Sequence, residues 1–213
     1  MLKAFDAVIF DLDGVICSTD EYHYLAWKTI ADSLGVDFDR KKNDRLRGVS
    51  RMESLEIILE DCRERLSPAE KEELASGKNE IYKKQLYKMS PKDLADEVRI
   101  TLDELRERGY LLAIGSSSKN AKFILQQIGL NGYFDAVSDG TNISRSKPDP
   151  EVFVCAADML CVPASRCLVV EDAVSGAMAA HAGGMKAACV GSAAASGAGD
   201  WNMASVKELL DIV

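Results

Sequence analysis

Two carboxylates two positions apart, Asp11 and Asp13, are the residues of this sequence whose spacing first suggests chemistry. They follow the apolar run Ala7–Phe10. In extended chain, residues i and i+2 project to the same side, so both acids would face one point. Gly14 comes next, permitting a tight turn and close approach of a ligand to the backbone. Two acids this close repel, so a cation or a shared proton must stabilise them. An ordinary Asp-rich turn has the same composition, and the pair alone does not decide between the two.

Three later segments change that balance, because each occupies the equivalent place after a later strand. Gly115, Ser116, Ser117 and Ser118 end the second run, offering a hydroxyl and backbone N–H groups at a helix start, which suits a phosphate. Lys147 lies between Ser146 and the stiff Pro148, Asp149, Pro150 segment, from which an ammonium could reach the carboxylates. Glu171 and Asp172 end the run at 167–170. Taken singly, Lys147 reads as a surface lysine, and Glu171 with Asp172 as acids favoured at a helix N-terminus. Together they occupy the carboxyl ends of strands, where open α/β sheets bind their ligands.

The chemistry that uses all of them is phosphoryl transfer. Carboxylates of Asp11, Asp172 and Glu171, with a backbone carbonyl, form an oxygen cage suited to one Mg²⁺ per chain, and Asp13 belongs to that metal set. The metal and Lys147 would offset the charge of a phosphate dianion and let Asp11 attack phosphorus, carrying the group as an acyl phosphate. Asp13 would exchange a proton with the entering or leaving oxygen.

The elements that must position these residues follow from hydrophobic pattern. Short, consecutively apolar runs at Ala7–Phe10, Leu111–Gly115, 136–137, 168–170 and 187–190 predict buried parallel strands. Between them, Val98, Leu102 and Leu105 share a helix face, as do Ala121, Ile124, Leu125 and Ile128, and Phe153, Ala156, Ala157 and Leu160. Alternating strand and helix predicts an α/β fold, a doubly wound parallel sheet covered on both faces. Between residues 21 and 89 the pattern is only helical. Trp27, Ile30, Ala31 and Leu34 form one stripe, Leu55, Ile58, Leu59 and Cys62 another, and Ser67, Pro68 and Glu70 compose a capping box with Pro at the first helical position. The expectation is a core of residues 1–16 and 90–213 with a helical domain inserted at 17–89. The Ala/Ser/Gly stretch at 191–199 reads as a loop.

Composition bounds the partners. A chain of 213 residues can bury most of its apolar surface without disulfides or structural metal. Its net charge of −8 excludes a whole-surface basic footprint for nucleic acid. The run Arg40, Lys41, Lys42, Arg45, Arg47 and Arg51 reads mostly as a solvated helix face. The six cysteines form no CxxC pair, and two histidines supply no zinc pattern. No run approaches the length of a membrane span and no secretory h-region is visible. A monomeric cytoplasmic enzyme acting on a small molecule, without nucleic acid or membrane partners, is the expectation.

With Asp11-Leu12-Asp13-Gly14, Ser116, Lys147 and Glu171-Asp172 in view, the sequence resembles the haloacid-dehalogenase-like superfamily across essentially its whole length. That resemblance implies a Rossmann-like core with a four-helix cap, and Asp13 points to the phosphotransferase branch. Thr19, Glu21, Tyr22, His23, Ala26, Trp27, then Gly48, Val49, Ser50, Arg51, Ser54, Leu55, and Lys78, Asn79 and 116–120 are similar to the hexose-phosphate mutases of that branch. The resemblance implies interconversion of β-glucose 1-phosphate and glucose 6-phosphate through a bisphosphate; the alternative on this scaffold is a Mg²⁺-dependent phosphatase of small sugar phosphates.

Carried over residue by residue, the resemblance gives Ser116, the Ser117 backbone and Lys147 to the reacting phosphate, and Arg51, Ser118, Lys119 and Asn120 to the distal one. It puts Gly48, Val49, Ser50, Ser54 and Trp27 near substrate, although Trp27 also opens an apolar stripe expected of a cap core. Lys78 would touch sugar hydroxyls. Thr19 and His23 would act as a hinge restraining Asp13, where a helix N-cap and a helix-surface histidine are the plainer readings. Where the family usually ends on an apolar strand, 192–203 has none, so a short or missing last sheet edge is expected.

Overall fold

The computed structural model describes residues 3–46, 50–63 and 65–213. They divide into two compact units, one of Met1–Ser18 with Met89–Val213 and one of Thr19–Lys88.

The first unit is built on six parallel strands in the order β3-β2-β1-β4-β5-β6: β1 (Ala7–Phe10), β2 (Leu111–Gly115), β3 (Ala136–Ser138), β4 (Cys167–Glu171), β5 (Lys186–Cys189) and β6 (Trp201–Asn202). Ala7 sits opposite both Leu111 and Cys167, so β1 is central and its end is level with the ends of β2 and β4. Strand order reverses between β1 and β4, which opens the crevice that doubly wound sheets use for ligands.

Side chains alternate across the sheet. Ile9, Ala113, Val169 and Ala187 pack one face against Val152, Phe153 and Ala156 of α7 (Glu151–Met159) and Ala177 and Ala180 of α8 (Val174–Ala182). Val8, Phe10, Leu112 and Ile114 alternate to the other face and are fully buried. Helices α5 (Asp96–Glu107) and α6 (Ala121–Gln127) carry the apolar faces expected from Val98, Leu102, Leu105, Ile124 and Leu125. The chain closes with α10 (Leu209–Ile212), packed on α5.

The second unit holds α1 (Asp20–Ser33), α2 (Arg40–Asp44), α3 (Arg51–Leu59) and α4 (Pro68–Leu86). Trp27, Ile30, Ala31, Phe38, Leu55, Ile58 and Ala75 form its core. Ser67 starts α4 with the expected capping box: its hydroxyl accepts from the Glu70 amide, and the Glu70 carboxylate accepts from the Ser67 amide at 2.7 Å. The basic run is mostly exposed, as expected, and on that face Arg40 pairs with Glu21, Lys42 with Asp61 and Arg45 with Glu60; Arg47 lies outside the described residues. Cys62 lies beyond the end of α3 rather than in its stripe, though it still packs on the core.

Two expectations about the last third need correction or refinement. Residues 191–199 are not all loop: Gly191–Ala195 is a short helix, α9, started by Gly191 at φ 55° and anchored by fully buried Ala193. The last sheet edge is present but only two residues long. What secures it is Asp200, whose carboxylate accepts from Lys186 Nζ at 2.5 Å, the Ala187 amide at 2.9 Å and His181 Nε2 at 3.0 Å. Partial burial opposes ionisation of Asp200, but these donors outweigh it and bring the pKa down to about 2. A depressed carboxylate stabilises the fold above its unfolded pKa of about 4 and loses that contribution as pH falls through the folded value. With solvent screening taken into account, Asp200→Ala is expected to cost about 1 kcal/mol at pH 7, a fall in Tm of roughly 2–4 °C. Thermal melts from pH 7 to 2 check this: the gap to wild type should shrink below about pH 4, and a constant gap would contradict it.

Candidate active site

The ends of β1, β2 and β4 and the loop that carries Lys147 supply the site of the first unit. Asp11 follows β1 directly, and its amide still donates to the Val170 carbonyl at 2.9 Å, so β4 fixes its backbone. Its side chain is buried. Lys147 Nζ donates to Asp11 Oδ1 and to Glu171 Oε1, each at 2.5 Å, and lies 4.6 Å from the centre of the Phe153 ring. The other Glu171 oxygen accepts from the amides of Asp172 and Ala173, both at 2.9 Å, at the start of α8. One carboxylate oxygen from each of Asp11, Glu171 and Asp172 lies within 4.8 Å of the others, a spacing at which three hard oxygens could share a cation. The Asp13 carboxylate is not among those three; β1 ends at Phe10, and Asp13 lies in the turn that follows, bridged to Cys17 just before Gly14 (φ 82°), whose amide donates to the Cys17 carbonyl at 2.8 Å.

The electrostatics match that geometry. Burial pushes the Asp11 carboxyl well above its ordinary range, Lys147 opposes the shift, and the charges of Glu171 and Asp13 add to it. Lys147 is shifted upward, its two carboxylate partners overcoming the cost of burial. Four acids against one ammonium leave a surplus of negative charge that a divalent cation would neutralise, and the all-oxygen donor set fits such an ion.

Two glycines make room for this arrangement. A Cβ on Gly14 would overlap the Asp172 carboxylate, and one on Gly176 would overlap the Glu171 carboxylate. Gly176 was not legible as a site residue from sequence. Its signal is a glycine inside a helix, a position that costs about 1 kcal/mol against alanine and therefore points to close approach by something else.

Ser116 is buried after β2, where its amide donates to the Ser138 carbonyl and its hydroxyl accepts from the Ser118 amide at 3.1 Å. The Ser118 hydroxyl accepts from the Asn120 amide at 3.2 Å. Ser117 and Lys119 are exposed. Residues 116–120 thus form one hydrogen-bonded loop beside the Asp11 strand.

In the helical unit, His23 is half-buried and has partners. Lys78 Nζ lies 2.7 Å from His23 Nδ1, and the imidazole stacks on Tyr82 with ring centres 4.0 Å apart. Burial, with Lys78 and Arg51 nearby, holds the His23 pKa well below its usual value, so the ring is neutral at pH 7. A neutral ring accepting at Nδ1 carries its proton on Nε2. Lys78 is buried, its ammonium 5.0 Å from the Trp27 ring and 4.7 Å from the Tyr82 ring. Trp27 itself belongs to the unit's core. Thr19 precedes α1 without a side-chain capping bond to it. Ser50 caps α3, exchanging hydrogen bonds with Glu53; Arg51 is exposed and donates to Asn79 Oδ1 at 3.0 Å; Ser54 is buried in α3. Gly48 and Val49 lie outside the described residues.

Known proteins share this fold and much of this sequence. Residues 5–184 match the model of the haloacid dehalogenase-like hydrolase family, and the chain belongs to that family. It is 43% identical over 187 residues to a β-phosphoglucomutase of Bacillus subtilis (strain 168), covering 87% of this chain and 83% of that one. It is also 31% identical to the fructose-1-phosphate phosphatase YqaB of Escherichia coli (strain K12), over 88% of this chain and 97% of that one. The crystal structure of a β-phosphoglucomutase from Clostridium difficile superposes with a TM-score of 0.86 at 34% identity, covering 96% of this chain and 93% of that one. The chain is therefore an enzyme of this family, and the likeness to β-phosphoglucomutases extends over most of its length. No helix among the described residues is long and apolar enough to cross a membrane.

Proposed function

We propose that this enzyme interconverts β-glucose 1-phosphate and glucose 6-phosphate. The observation that carries the proposal is Asp11 held at the switch point of the sheet, its carboxylate bonded to Lys147 and clustered with Glu171 and Asp172. The 43% identity to a β-phosphoglucomutase supports the mutase direction of that chemistry.

In this reading Asp11 carries the phosphoryl group between substrates. Phosphorylated Asp11 gives its phosphoryl group to the 6-hydroxyl of β-glucose 1-phosphate, while Asp13 takes the hydroxyl proton. The bisphosphate turns over in the site, and the Asp11 carboxylate attacks the phosphorus on C1. The C1–oxygen–phosphorus link breaks on the phosphorus side, and Asp13 returns its proton to the departing oxygen. Lys147 holds Asp11 in place and offsets charge on the phosphoryl oxygens. Asp11, Glu171 and Asp172 would hold Mg²⁺, which supplies positive charge against the phosphate dianion. The resemblance assigns Ser116 and the Ser117 backbone to the reacting phosphate, Arg51, Ser118, Lys119 and Asn120 to the other, and Lys78 to the sugar. Neutral His23, tied to Lys78, supports its assignment with Thr19 as a restraint on Asp13 rather than as a general acid.

The test is a coupled glucose 6-phosphate assay on purified protein with Mg²⁺ and a trace of β-glucose 1,6-bisphosphate. Inorganic phosphate released from β-glucose 1-phosphate faster than glucose 6-phosphate forms would instead establish a phosphatase, a reading that the likeness to a fructose-1-phosphate phosphatase keeps in play. A charged hydrogen bond to phosphate is worth ~1.5–3 kcal/mol, so Arg51→Ala should raise KM by about 10–100-fold. Unchanged KM would remove Arg51 from phosphate binding.

A further inference from the structure

The turn after β3 presses directly on the loop that follows β2. Gly140 is buried, and its amide donates to the Ser118 carbonyl at 3.2 Å. A Cβ at Gly140 would overlap the Ser117 carbonyl oxygen and lie 2.9 Å from the Lys119 amide nitrogen. The Lys119 Cγ, also at 2.9 Å, could rotate away, but the other two obstacles are backbone and no side-chain rotation relieves them. Gly140 is not among the glycines with positive φ, so its backbone conformation is open to other residues. The requirement there is for space alone.

The turn that delivers Gly140 is itself locked. Asp139 is 1% exposed, and its Oδ1 accepts from the Thr141 amide at 2.8 Å and the Thr141 hydroxyl at 2.5 Å. Its own amide donates to Asn142 Oδ1 at 2.7 Å. Lys122 Nζ stands 3.8 Å from its other oxygen, at a largely exposed position where the pair is screened. A buried carboxylate satisfied chiefly by its own turn makes that turn a stiff wall against the neighbouring loop.

We propose that Gly140, held by the Asp139 turn, is a positioning residue that sets the backbone of residues 117–119 and thereby the spacing at which that loop engages a sugar phosphate. The proposal rests on the assignment of the 116–120 loop to phosphate binding. It adds a residue that touches no substrate, lies 20 residues or more from the loop in sequence, and acts by leaving room.

The experiment compares Gly140→Ala with wild type in the coupled assay, recording KM for β-glucose 1-phosphate and phosphate released per glucose 6-phosphate formed. A displaced loop is expected to raise KM about tenfold or more and to increase phosphate release. The Mg²⁺ concentration giving half the metal-induced rise in Tm should stay within twofold of wild type, since the atoms a Cβ at Gly140 would strike belong to Ser117 and Lys119. General loosening of the fold would move both. Should Gly140→Ala not fold, Asp139→Ala, which frees the turn, is expected to raise KM in the same way, and Asp139→Asn, which keeps the acceptor, to restore it. KM and phosphate release within twofold of wild type in a folded Gly140→Ala protein overturn the proposal. If wild type makes no glucose 6-phosphate, the mutase reading fails separately, and the same KM comparison is then made on the sugar phosphate it hydrolyses.

Discussion

Asp11→Asn is expected to yield a folded protein that forms no phosphoenzyme and turns over at least about 10⁴-fold more slowly than wild type, the scale on which loss of a covalent nucleophile is felt. The amide is nearly isosteric with the carboxylate. The backbone bond from Asp11 to Val170 is untouched, and Lys147 can still donate to the remaining carbonyl oxygen. What disappears is the second nucleophilic oxygen and one negative charge. Burial disfavours the charged carboxylate, and repulsion from Glu171 and Asp13 adds to this; together they outweigh the attraction of Lys147, so removing the charge is not a net loss. The Tm in the absence of metal should therefore be no lower than wild type. Loss of activity without loss of stability is the diagnostic pair. Isotope transferred from labelled bisphosphate to the variant, in a hydroxylamine-sensitive bond, would show that another residue carries the phosphoryl group.

Lys147→Ala should have the opposite thermodynamic sign. Its ammonium touches two carboxylates at 2.5 Å, with side chains only 10% and 1% exposed for Asp11 and Glu171. Removing it leaves those acids facing each other without a counter-charge, and breaking a buried pair in this way costs about 3–5 kcal/mol. For a chain of this size that is roughly 6–20 °C in Tm. Turnover should fall by about 10³-fold, because both the placement of Asp11 and the charge offered to phosphate are lost. Added Mg²⁺ should recover part of the Tm, since a cation among the three carboxylates supplies the missing charge. A metal-free Tm within 2 °C of wild type would show that the ammonium does not neutralise this pair in solution.

The parts of this molecule that sequence made visible share one property: each is a local pattern. Strands covered on both faces must be consecutively apolar, so β1, β2, β4 and β5 announce themselves. Asp11, Ser116 and Glu171 stand out because each follows such a run, and Lys147 because it opens the Pro148, Asp149, Pro150 segment. Strand β6 has two residues and pairs through backbone bonds that any side chain permits, so it leaves no pattern. Helix α9 hides in an Ala/Gly/Ser composition equally suited to a loop, and is decided by the burial of Ala193. His23 looked like a helix-surface residue because its partner, Lys78, is 55 residues away. Gly176 and Gly140 are defined by atoms their side chains would strike, a property no spacing rule contains.

The position of β1 at the centre of the sheet also governs the order in which the protein can assemble. Ala7 pairs with Leu111 and with Cys167, partners 104 and 160 residues later in the chain. The inserted unit is contiguous, and every residue of its core lies within Thr19–Lys88. During synthesis, therefore, all the side chains of that unit's core exist before either neighbour of β1 does. The loop-closure penalty for such distant pairings grows only with the logarithm of length, so the inserted unit costs the finished fold little. What it imposes is delay: an apolar, hydrogen-bond-hungry strand must wait unpaired until those later partners have been made. High sequence separation of this kind slows folding, and it makes this first strand the segment with most to gain from being shielded by a chaperone.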